Sequence, residues 1–272
     1  MSGRRDERPT TSHPFYGGLR PVHPLASVLL QHNPGPMTLE GTNTWVVSVP
    51  GSGERIVVDP GEDDGTHLET LADGAPVAAV VLTHRHPDHA GGIGRFVELT
   101  GAPVYAADPS LAAGTEPLAD GTVIAAAGVE LAVMATPGHT SDSVSLLLTG
   151  PGADGAALLA GDTVLGRGTT VIAHPDGALG PYLDSLRRIA DLPAGTPLLP
   201  GHGPEQGDAA QIATTYLTHR EQRLDQVRAA LAALGPDASP RAVVELVYAD
   251  VDTSLWDAAE QSVRAQLDHL RG

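Results

Sequence analysis

The chain of 272 residues is long enough to bury a sizeable core, either as one large domain or as one domain with an appendage. It contains no cysteine, which excludes disulfides, thiolate metal ligands and thiol nucleophiles together. The formal net charge of −17 disfavours non-specific attraction to nucleic acid, and no segment approaches the ~20 apolar residues of a membrane span. Residues 1–15 begin with a charged stretch that lacks the apolar core of a secretory signal, so we expect a flexible tail there and a location in the cytoplasm.

Short apolar runs bounded by glycine and proline alternate with predicted helices along most of the chain. Strands are predicted over residues 44–49, 55–59, 77–83, 104–106, 129–135, 144–148 and 156–159. Helices are predicted over residues 65–72 and 91–99, and a further helix opens at Pro181, where proline suits the first turn. This alternation is typical of a layered α/β protein.

Four potential metal ligands lie within six residues, directly after the predicted strand over residues 77–83. The hexapeptide reads His84-Arg85-His86-Pro87-Asp88-His89. A buried strand delivers the chain to a sheet edge, where a loop can turn several side chains toward one point. Imidazole and carboxylate donors without a thiolate suit zinc, and also iron, manganese or nickel. A histidine-rich surface loop is the alternative for the hexapeptide taken alone.

Three more residues of ligand type each follow an apolar run and lie between glycine or proline residues. They are His139 in Pro137-Gly138-His139-Thr140, Asp162 in Ala160-Gly161-Asp162-Thr163, and His202 in Pro200-Gly201-His202-Gly203. Glycine and proline allow tight turns, and glycine lets the backbone approach a ligand closely. Each residue taken alone is more often a turn residue than a ligand, but four strand ends with the same feature indicate one shared site.

The complete pattern resembles the ligand set of the metallo-β-lactamase-fold hydrolases over roughly residues 20–205. It consists of His84-x-His86-x-Asp88-His89 followed by His139, Asp162 and His202. The resemblance implies a four-layer αββα sandwich with the metal site at the sheet edge. It also implies one metal ion bound by His84, His86 and His139, here named the histidine group. A second ion is implied at Asp88, His89 and His202, here named the carboxylate group, with Asp162 bridging the two.

Further segments narrow the resemblance to the lactamase-β-like-2 branch of these hydrolases. They are Gly41-Thr42-Asn43-Thr44-Trp45, Gly161-Asp162-Thr163-Val164-Leu165-Gly166, Gly168-Thr169-Thr170 and Pro200-Gly201-His202-Gly203-Pro204. That branch includes a single-strand-selective endoribonuclease as well as thioesterase-like hydrolases. The missing cysteine departs from the subclass B1 and B2 lactamases, and Asp162 departs from subclass B3. His86 stands where flavin-linked diiron oxygen reductases carry glutamate, and persulfide dioxygenases bind a single iron.

The sequence therefore predicts a dinuclear zinc-dependent hydrolase in which a metal-bridging hydroxide attacks an ester or thioester of a small molecule. Iron and manganese also suit the donors. Asp162 and Asp88 are the predicted catalytic residues, with Asp162 fixing the metal separation. The alternatives are a metal-dependent endoribonuclease acting on single-stranded RNA and a non-catalytic metal-binding protein. The oligomeric state, including a dimer, is left open.

Three other polar residues are weaker candidates for the site. His174 is a candidate proton donor, with a surface-loop histidine as the plainer interpretation. Thr163 and Asn43 could line the site, although turn and strand-start positions explain them as well.

The chain changes character after His202. A long alanine-rich helix is predicted over residues 208–234, Ser239-Pro240 predicts the start of a second helix, and a last helix follows from about residue 255. We expect a catalytic domain over residues 16–207 and a helical or winged-helix-like domain over residues 208–272. Its expected role is packing and shaping the substrate rim. Nucleic-acid recognition is the alternative, supported by Arg220, Arg223, Arg228 and Arg241.

Overall fold

In the computed structural model, which describes residues 13–271, two β-sheets pack face to face between two layers of helices. Most of the tail expected over residues 1–15 lies outside the described residues. The strands of the first sheet are β1 (Arg20–His23), β2 (Ala26–Leu30), β3 (Asn43–Val47), β4 (Arg55–Val58), β5 (Val77–Val81) and β6 (Val104–Tyr105). They lie side by side in chain order, antiparallel from β1 to β4 and parallel from β4 to β6.

The second sheet has five strands in the order β11-β10-β9-β8-β7. They are β7 (Val123–Ala126), β8 (Val129–Ala135), β9 (Val144–Thr149), β10 (Ala157–Gly161) and β11 (Leu198–Pro200). Only the pair formed by β10 and β11 is parallel. The parallel pairs β4·β5 and β10·β11 matter for the site, because parallel strands end at the same edge of a sheet.

The helices are α1 (Gly65–Ala72), α2 (Pro87–Ala90), α3 (Ile93–Thr100), α4 (Leu179–Ala190), α5 (Ala209–Leu234), α6 (Pro240–Val247) and α7 (Trp256–Arg271). A 3₁₀ turn over Thr253–Leu255 leads into α7. Helices α1 and α3 cover the first sheet, and α4 with the start of α5 covers the second. Among residues 13–271, no helix is both long enough and apolar enough to cross a membrane.

Burial on both faces of the central strands produces the four layers. In β5, Val81 faces the core between the sheets, whereas its neighbour Val80 faces α1 and α3. Both side chains are fully buried, which explains why this strand reads as a continuous apolar run. On the far side, Tyr182 and Leu186 of α4 pack against the second sheet. The αββα architecture predicted from the sequence is confirmed.

The main differences from the predicted elements lie in short segments. The helix predicted over residues 91–99 is preceded by the separate turn α2, where Pro87 takes the first helical position and needs no N–H partner. Strands β1, β2 and β7 were not predicted from the sequence. Several residues of β1 and β7 are partly or fully exposed. Strand β2 is a short, mostly buried run in which periodicity alone does not identify a strand. Strand β11 has three residues, too few for a period to show.

The C-terminal region is helical, as predicted. Helix α5 begins after the cap Asp208, packs its first half against α4, and packs Val227 against α6 and α7. Ser239 caps α6 by accepting a hydrogen bond from the Ala242 amide at 3.2 Å. Val263 and Leu267 lie on the buried face of α7. Because α5 contributes to two cores, the boundary proposed at residue 208 stays a prediction.

Candidate metal centre

All seven predicted ligands meet at one edge of the two sheets. The segment 84–89 follows β5, His139 follows β8, Asp162 follows β10, and His202 follows β11. Their ligand atoms form overlapping sets of three within 4.8 Å of one another. The four strand ends that the sequence singled out therefore converge in space.

The nitrogen atoms of the histidine group point at a common position. His84 Nε2 lies 3.1 Å from His86 Nδ1, and His86 Nδ1 lies 3.0 Å from His139 Nε2. The rings meet edge to face. Three ring nitrogens that converge in this way suit three positions of a tetrahedral metal site.

The carboxylate group is equally close. His89 Nε2 lies 3.2 Å from His202 Nε2 and 3.5 Å from Asp88 Oδ2. His202 Nε2 lies 3.1 Å from the same Asp88 oxygen. Both histidines are completely buried, whereas the Asp88 side chain is 22% exposed and faces a cavity. Asp88 is therefore the more exposed of the two acidic donors, because the Asp162 side chain is only 10% exposed.

Asp162 touches both groups. Its Oδ2 lies 3.3 Å from His202 Nε2 and 3.7 Å from His139 Nε2, and its Oδ1 lies 3.4 Å from His89 Nε2. The Cβ of any other residue at Gly201 would overlap Asp162 Oδ1, so glycine is required for this close approach. One carboxylate thus spans the two sets of histidines.

The donor set fits two divalent cations. Asp162 Oδ1 is buried and has no hydrogen-bond partner within residues 13–271, which is costly for a carboxylate without a nearby cation. All donors are imidazole nitrogens or carboxylate oxygens, the set that zinc, iron and manganese accept. The fold thus provides one three-nitrogen position and one mixed position that share a carboxylate.

The electrostatics of the two groups differ. Burial lowers the pKa of His84 well below its usual value, and it lowers the pKa of His139. Burial also opposes protonation of His202, but Asp162 and Asp88 outweigh it and raise the pKa of His202 to about 9. The buried Asp162 has a pKa well below its usual value because His202 and His89 stabilise its charge against the effect of burial.

Comparisons with known proteins agree with this geometry. A family model described as the metallo-beta-lactamase superfamily matches residues 37–202, more than half of the chain. The chain belongs to the metallo-beta-lactamase superfamily. A second model, described as the beta-lactamase associated winged helix domain, matches residues 239–271. The predicted family and the winged-helix-like nature of the C-terminal region are confirmed, and the family together with its thioesterase-named relative indicates a metal-dependent hydrolase.

Relatives of known name extend the comparison. The beta-lactamase-like protein 2 homolog of Caenorhabditis elegans is 34% identical over 93% of this chain and 87% of its own length. The atrochrysone carboxyl ACP thioesterase of Aspergillus fumigatus is 35% identical over 77% of this chain and 66% of its own length. A metallo-beta-lactamase family protein from Thermus thermophilus shares the fold with a TM-score of 0.74 at 24% identity, over 91% of this chain and 93% of that one.

One carboxylate at the metal centre, Asp59, was not predicted from the sequence. It contacts His89 Nδ1, the ring nitrogen that faces away from the other ligands. Asp59 follows β4, is buried, and has a left-handed backbone with φ of 54°. Its Oδ2 lies 2.9 Å from His89 Nδ1, and its two oxygens accept hydrogen bonds from the amide and hydroxyl of Thr83. The signal was present, because Asp59 ends an apolar run just as the predicted ligands do.

The other histidines are oriented by neutral groups. His139 Nδ1 donates to the Val171 carbonyl at 2.6 Å, and His202 Nδ1 faces the Gly41 carbonyl at 3.2 Å. A carbonyl can only accept, so Nδ1 carries the proton and Nε2 is free to bind a cation. His84 Nδ1 lies 3.1 Å from the Thr83 hydroxyl.

The weaker candidates support loops rather than line the metal centre. Asn43 donates to the carbonyls of Pro200 and Gly203 at 3.0 and 2.8 Å, which holds the loop that carries His202. The Thr163 carbonyl accepts a hydrogen bond from Tyr182. His174 is not brought to the centre, because its Nε2 lies 2.9 Å from Asp268 of α7 and it lines a different cavity.

The arginines proposed for nucleic-acid recognition also have partners within the fold. Arg220 is buried and donates to the Thr170 carbonyl. Arg228 pairs with Asp225 and Arg241 pairs with Asp257, so their charges are compensated. Arg223 differs, because it stacks on the Tyr248 ring and has no carboxylate partner within residues 13–271.

Two cavities open onto the metal centre. The smaller, of about 120 Å³, is lined by His86, Asp88, His139, Asp162 and His202 with Met37, Val171, Ala173 and Gln261. The larger, of about 320 Å³, touches His139 and Asp162 and extends to the C-terminal helices. A substrate can therefore reach the donors and extend toward α5 and α7.

Proposed function

We propose that this chain is a dinuclear zinc-dependent hydrolase of thioesters or esters. The observation that carries the proposal is the position of Asp162, whose two oxygens contact histidines of both groups at 3.3 to 3.7 Å. A site that only stores metal needs no carboxylate shared between two positions. A shared carboxylate fixes the distance between two cations, which hydrolysis at a two-metal site requires.

Thioesters are favoured among the hydrolysable substrates by two facts. One relative is named as a thioesterase and matches over 77% of this chain. The larger cavity at the centre has mainly apolar walls, contributed by residues such as Leu39, Val171 and Leu255. Such walls suit an acyl chain. Nucleic acid would instead call for several exposed cations, and two of the arginines in question are paired with aspartates.

In the proposed mechanism, His84, His86 and His139 would hold one cation, and Asp88, His89 and His202 the other. Bound divalent cations would supply a hydroxide nucleophile near neutral pH and polarise the carbonyl of the substrate. Asp162 sets the spacing of the two positions. Carbonyl and carboxylate partners at the Nδ1 atoms of His89, His139 and His202 keep each Nε2 directed inward.

Asp88 has a second proposed role as an acceptor of protons. Its carboxylate is the most exposed of the acidic donors and lines the smaller cavity beside the reacting centre. The pKa of Asp88 lies below its usual value because His89 and His202 outweigh the effect of burial. Asp88 is therefore ionised at neutral pH, and its Oδ2 can accept a hydrogen bond or a proton from water.

The test is a substrate panel with the metal removed and restored. Protein stripped with a chelator and protein reloaded with zinc, iron or manganese are each incubated with acyl thioesters, oxygen esters and single-stranded RNA. We expect thioester hydrolysis that is abolished by the chelator and restored best by zinc. His84→Ala should lower kcat/KM by more than the roughly 100-fold cost of losing an outer partner of a ligand. His269→Ala, an exposed histidine of α7, serves as the control.

Three results would overturn the proposal. RNA cleavage with intact thioesters would assign the endoribonuclease function instead. Metal binding without turnover of any substrate would assign a non-catalytic metal-binding role. Hydrolysis that is unaffected by the chelator and by His84→Ala would remove the metal centre from the reaction altogether.

A further inference from the structure

The larger cavity at the metal centre is lined by more basic than acidic side chains, although the chain as a whole is acidic. Its lining comes from the loop before β3, the segment after β10, helix α5 and the C-terminal helices, and it includes Asp162, Arg167, Arg220 and Arg223. Among the described residues that line it, Asp162 is the only acidic side chain and three are arginines. The chain as a whole has a net charge of −17, so the cavity reverses the overall sign.

Two arginines of this cavity differ from most others in the described part of the chain, because no carboxylate lies next to them. Most arginines within residues 13–271 lie within 4.0 Å of a carboxylate. The exceptions are Arg55, Arg220, Arg223 and Arg271. Arg55 and Arg271 donate to backbone carbonyls away from the cavity. The other two both line the cavity.

Arg223 is held in place by neighbouring residues, and some of its N–H groups make no hydrogen bond to them. Its guanidinium lies 4.5 Å from the centre of the Tyr248 ring, and Nη1 donates to Gln226 and to the Val247 carbonyl. Within the described part of the chain, its Nη2 and Nε make no hydrogen bond. A half-buried arginine fixed by stacking, with free N–H groups and no carboxylate beside it, is suited to bind an anionic group of a ligand.

Arg220 connects this position to the metal centre. It lies one turn earlier on α5, about 4.5 Å along the helix axis from Arg223. Its Nη2 donates to the Thr170 carbonyl, and Thr170 Oγ1 donates to the carbonyl of Asp162 at 2.7 Å. The guanidinium is buried and lies 5.0 Å from the Tyr182 ring. Its charge therefore adds to the positive potential of the wall that starts at Asp162.

The space beside the arginines is apolar. Leu39, Val251, Leu255, Ala258 and Ala259 line it and offer no hydrogen-bonding side chain. The nearby Arg167 is neutralised by an ion pair with Glu40. A ligand that fits this wall has an apolar part next to the metal centre and a negative group farther along.

We propose that the substrate is a thioester with an anionic group joined to the scissile bond through an apolar spacer, and that Arg223 binds this anion. The inference rests on the proposed thioesterase function. The anion has two chemical sources, a carboxylate on the acyl chain or a phosphate on the thiol.

The experiment uses two matched pairs of substrates with the zinc-loaded protein. The acyl pair is adipoyl and hexanoyl thioester of N-acetylcysteamine, which differ by one carboxylate. The thiol pair is the hexanoyl thioester of 4′-phosphopantetheine and of pantetheine, which differ by one phosphate. Each is measured with the natural protein, Arg223→Gln, Arg223→Lys and Arg228→Gln. Arg228 lies on the same helix but pairs with Asp225, which makes it a matched control.

We expect the natural protein to prefer the anionic member of one pair by about tenfold in kcat/KM. Arg223→Gln should remove this preference by lowering kcat/KM for the anionic member, Arg223→Lys should keep part of it, and Arg228→Gln should keep all of it. The pair that responds identifies the source of the anion. A preference that is absent, or that survives Arg223→Gln, overturns the inference while the thioesterase function stands.

If no thioester is hydrolysed, the proposed function fails, and the binding of non-hydrolysable thioether analogues of the same pairs decides the inference. Tighter binding of an anionic analogue that depends on Arg223 supports the anion site. Equal binding of both members overturns it. Arg223-dependent cleavage of single-stranded RNA, with no discrimination in either pair, also overturns it by assigning the site to a nucleic-acid phosphate.

Discussion

The histidine group and the carboxylate group use the same imidazole chemistry but are stabilised in different ways. Burial dominates in the histidine group and lowers the pKa of His84 and His139, so these rings are neutral. In the carboxylate group the acidic neighbours outweigh burial and raise the pKa of His89 and His202. One position is built from neutral donors and the other from charges that balance each other.

The residues that hydrogen-bond to the ligand histidines, on the side away from the metal positions, also differ between the two groups. The histidine group is held by a hydroxyl and a backbone carbonyl, at Thr83 and Val171. In the carboxylate group, Asp59 contacts His89 at 2.9 Å, whereas His202 faces the Gly41 carbonyl. Metal affinity in the carboxylate group should therefore depend directly on Asp59, whereas the histidine group is linked to Asp59 only through the Thr83 hydroxyl. Four substitutions test this difference.

The largest effect is expected at Asp162, the residue that the two groups share. Asp162→Asn keeps the shape of the side chain but removes the charge that both groups use. Thioester hydrolysis in excess zinc should fall by more than the roughly 100-fold typical of losing an outer partner, and zinc affinity should fall at both positions. Asp268→Asn, which alters only the exposed pair with His174, is the control. Undiminished hydrolysis by Asp162→Asn would remove the shared carboxylate from the mechanism.

Asp59→Asn should separate the two groups. Loss of the charge beside His89 should weaken zinc binding in the carboxylate group by about 10- to 100-fold. The histidine group should lose less affinity, because Asp59 reaches His84 only through the Thr83 hydroxyl. A titration against a chromophoric chelator, which separates the two binding steps, provides the measurement. An equal loss in both steps would show that Asp59 supports the whole edge of the sheet rather than one group.

His67→Gln should show how the hydrogen-bond network next to Asp59 affects the stability of the protein at low pH. His67 Nε2 lies 3.0 Å from the Thr44 hydroxyl, which donates to the Asp59 carbonyl, and burial lowers the pKa of His67 from 6.5 to about 4. The unfolded chain therefore binds a proton below 6.5 that the folded chain does not bind, so stability falls as the pH drops from 6.5 toward 4.

As the pH falls from about 7 to about 5, the natural protein should lose about 2 kcal/mol of unfolding free energy through this histidine. His67→Gln lacks the titrating group and should not show this loss. Urea denaturation of both proteins in the presence of a chelator measures the difference without a contribution from metal release. Parallel pH profiles of the two proteins would contradict a neutral, buried His67.

Arg85→Gln should have the smallest effect. Arg85 links the segment that carries His84 and His86 to neighbouring loops through Asp142 at 3.1 Å and Ser141 at 3.1 Å. The side chain is 40% exposed, so solvent screens its ion pairs. Zinc affinity in the histidine group should fall by no more than about fivefold, with the carboxylate group unchanged. A larger loss in the same titration would make this ion-pair cluster a principal support of the site.

The seven donors could be predicted because each follows an apolar run at a glycine- or proline-rich turn. Local sequence therefore identified both the residue type and its place at a sheet edge. Asp59 satisfies the same rule, but a single Asp ending a strand lacks the clustering that made the hexapeptide informative. Its role depends on the pairing of β4 with β5, which brings Asp59 beside Thr83 and which no local pattern specifies.

The anion site lay beyond the reach of the sequence for a related reason. In the sequence, Arg220 and Arg223 stood out only as two of four arginines that would support nucleic-acid recognition. What distinguishes them from Arg228 is the absence of a carboxylate partner within residues 13–271 and the proximity of Tyr182 and Tyr248, which come from distant segments. Such contacts are set by how α5 packs against α4 and α6, and not by spacing along the chain.

Anomalous X-ray diffraction from crystals of the zinc-loaded protein would locate the metal ions and show whether Asp162 joins two of them. We expect two zinc ions per chain about 3.5–4 Å apart, with the Asp162 carboxylate bound to both. One ion should lie in the histidine group and the other in the carboxylate group. A single ion, or two ions of which Asp162 binds only one, would rule out a two-metal centre built around a shared carboxylate.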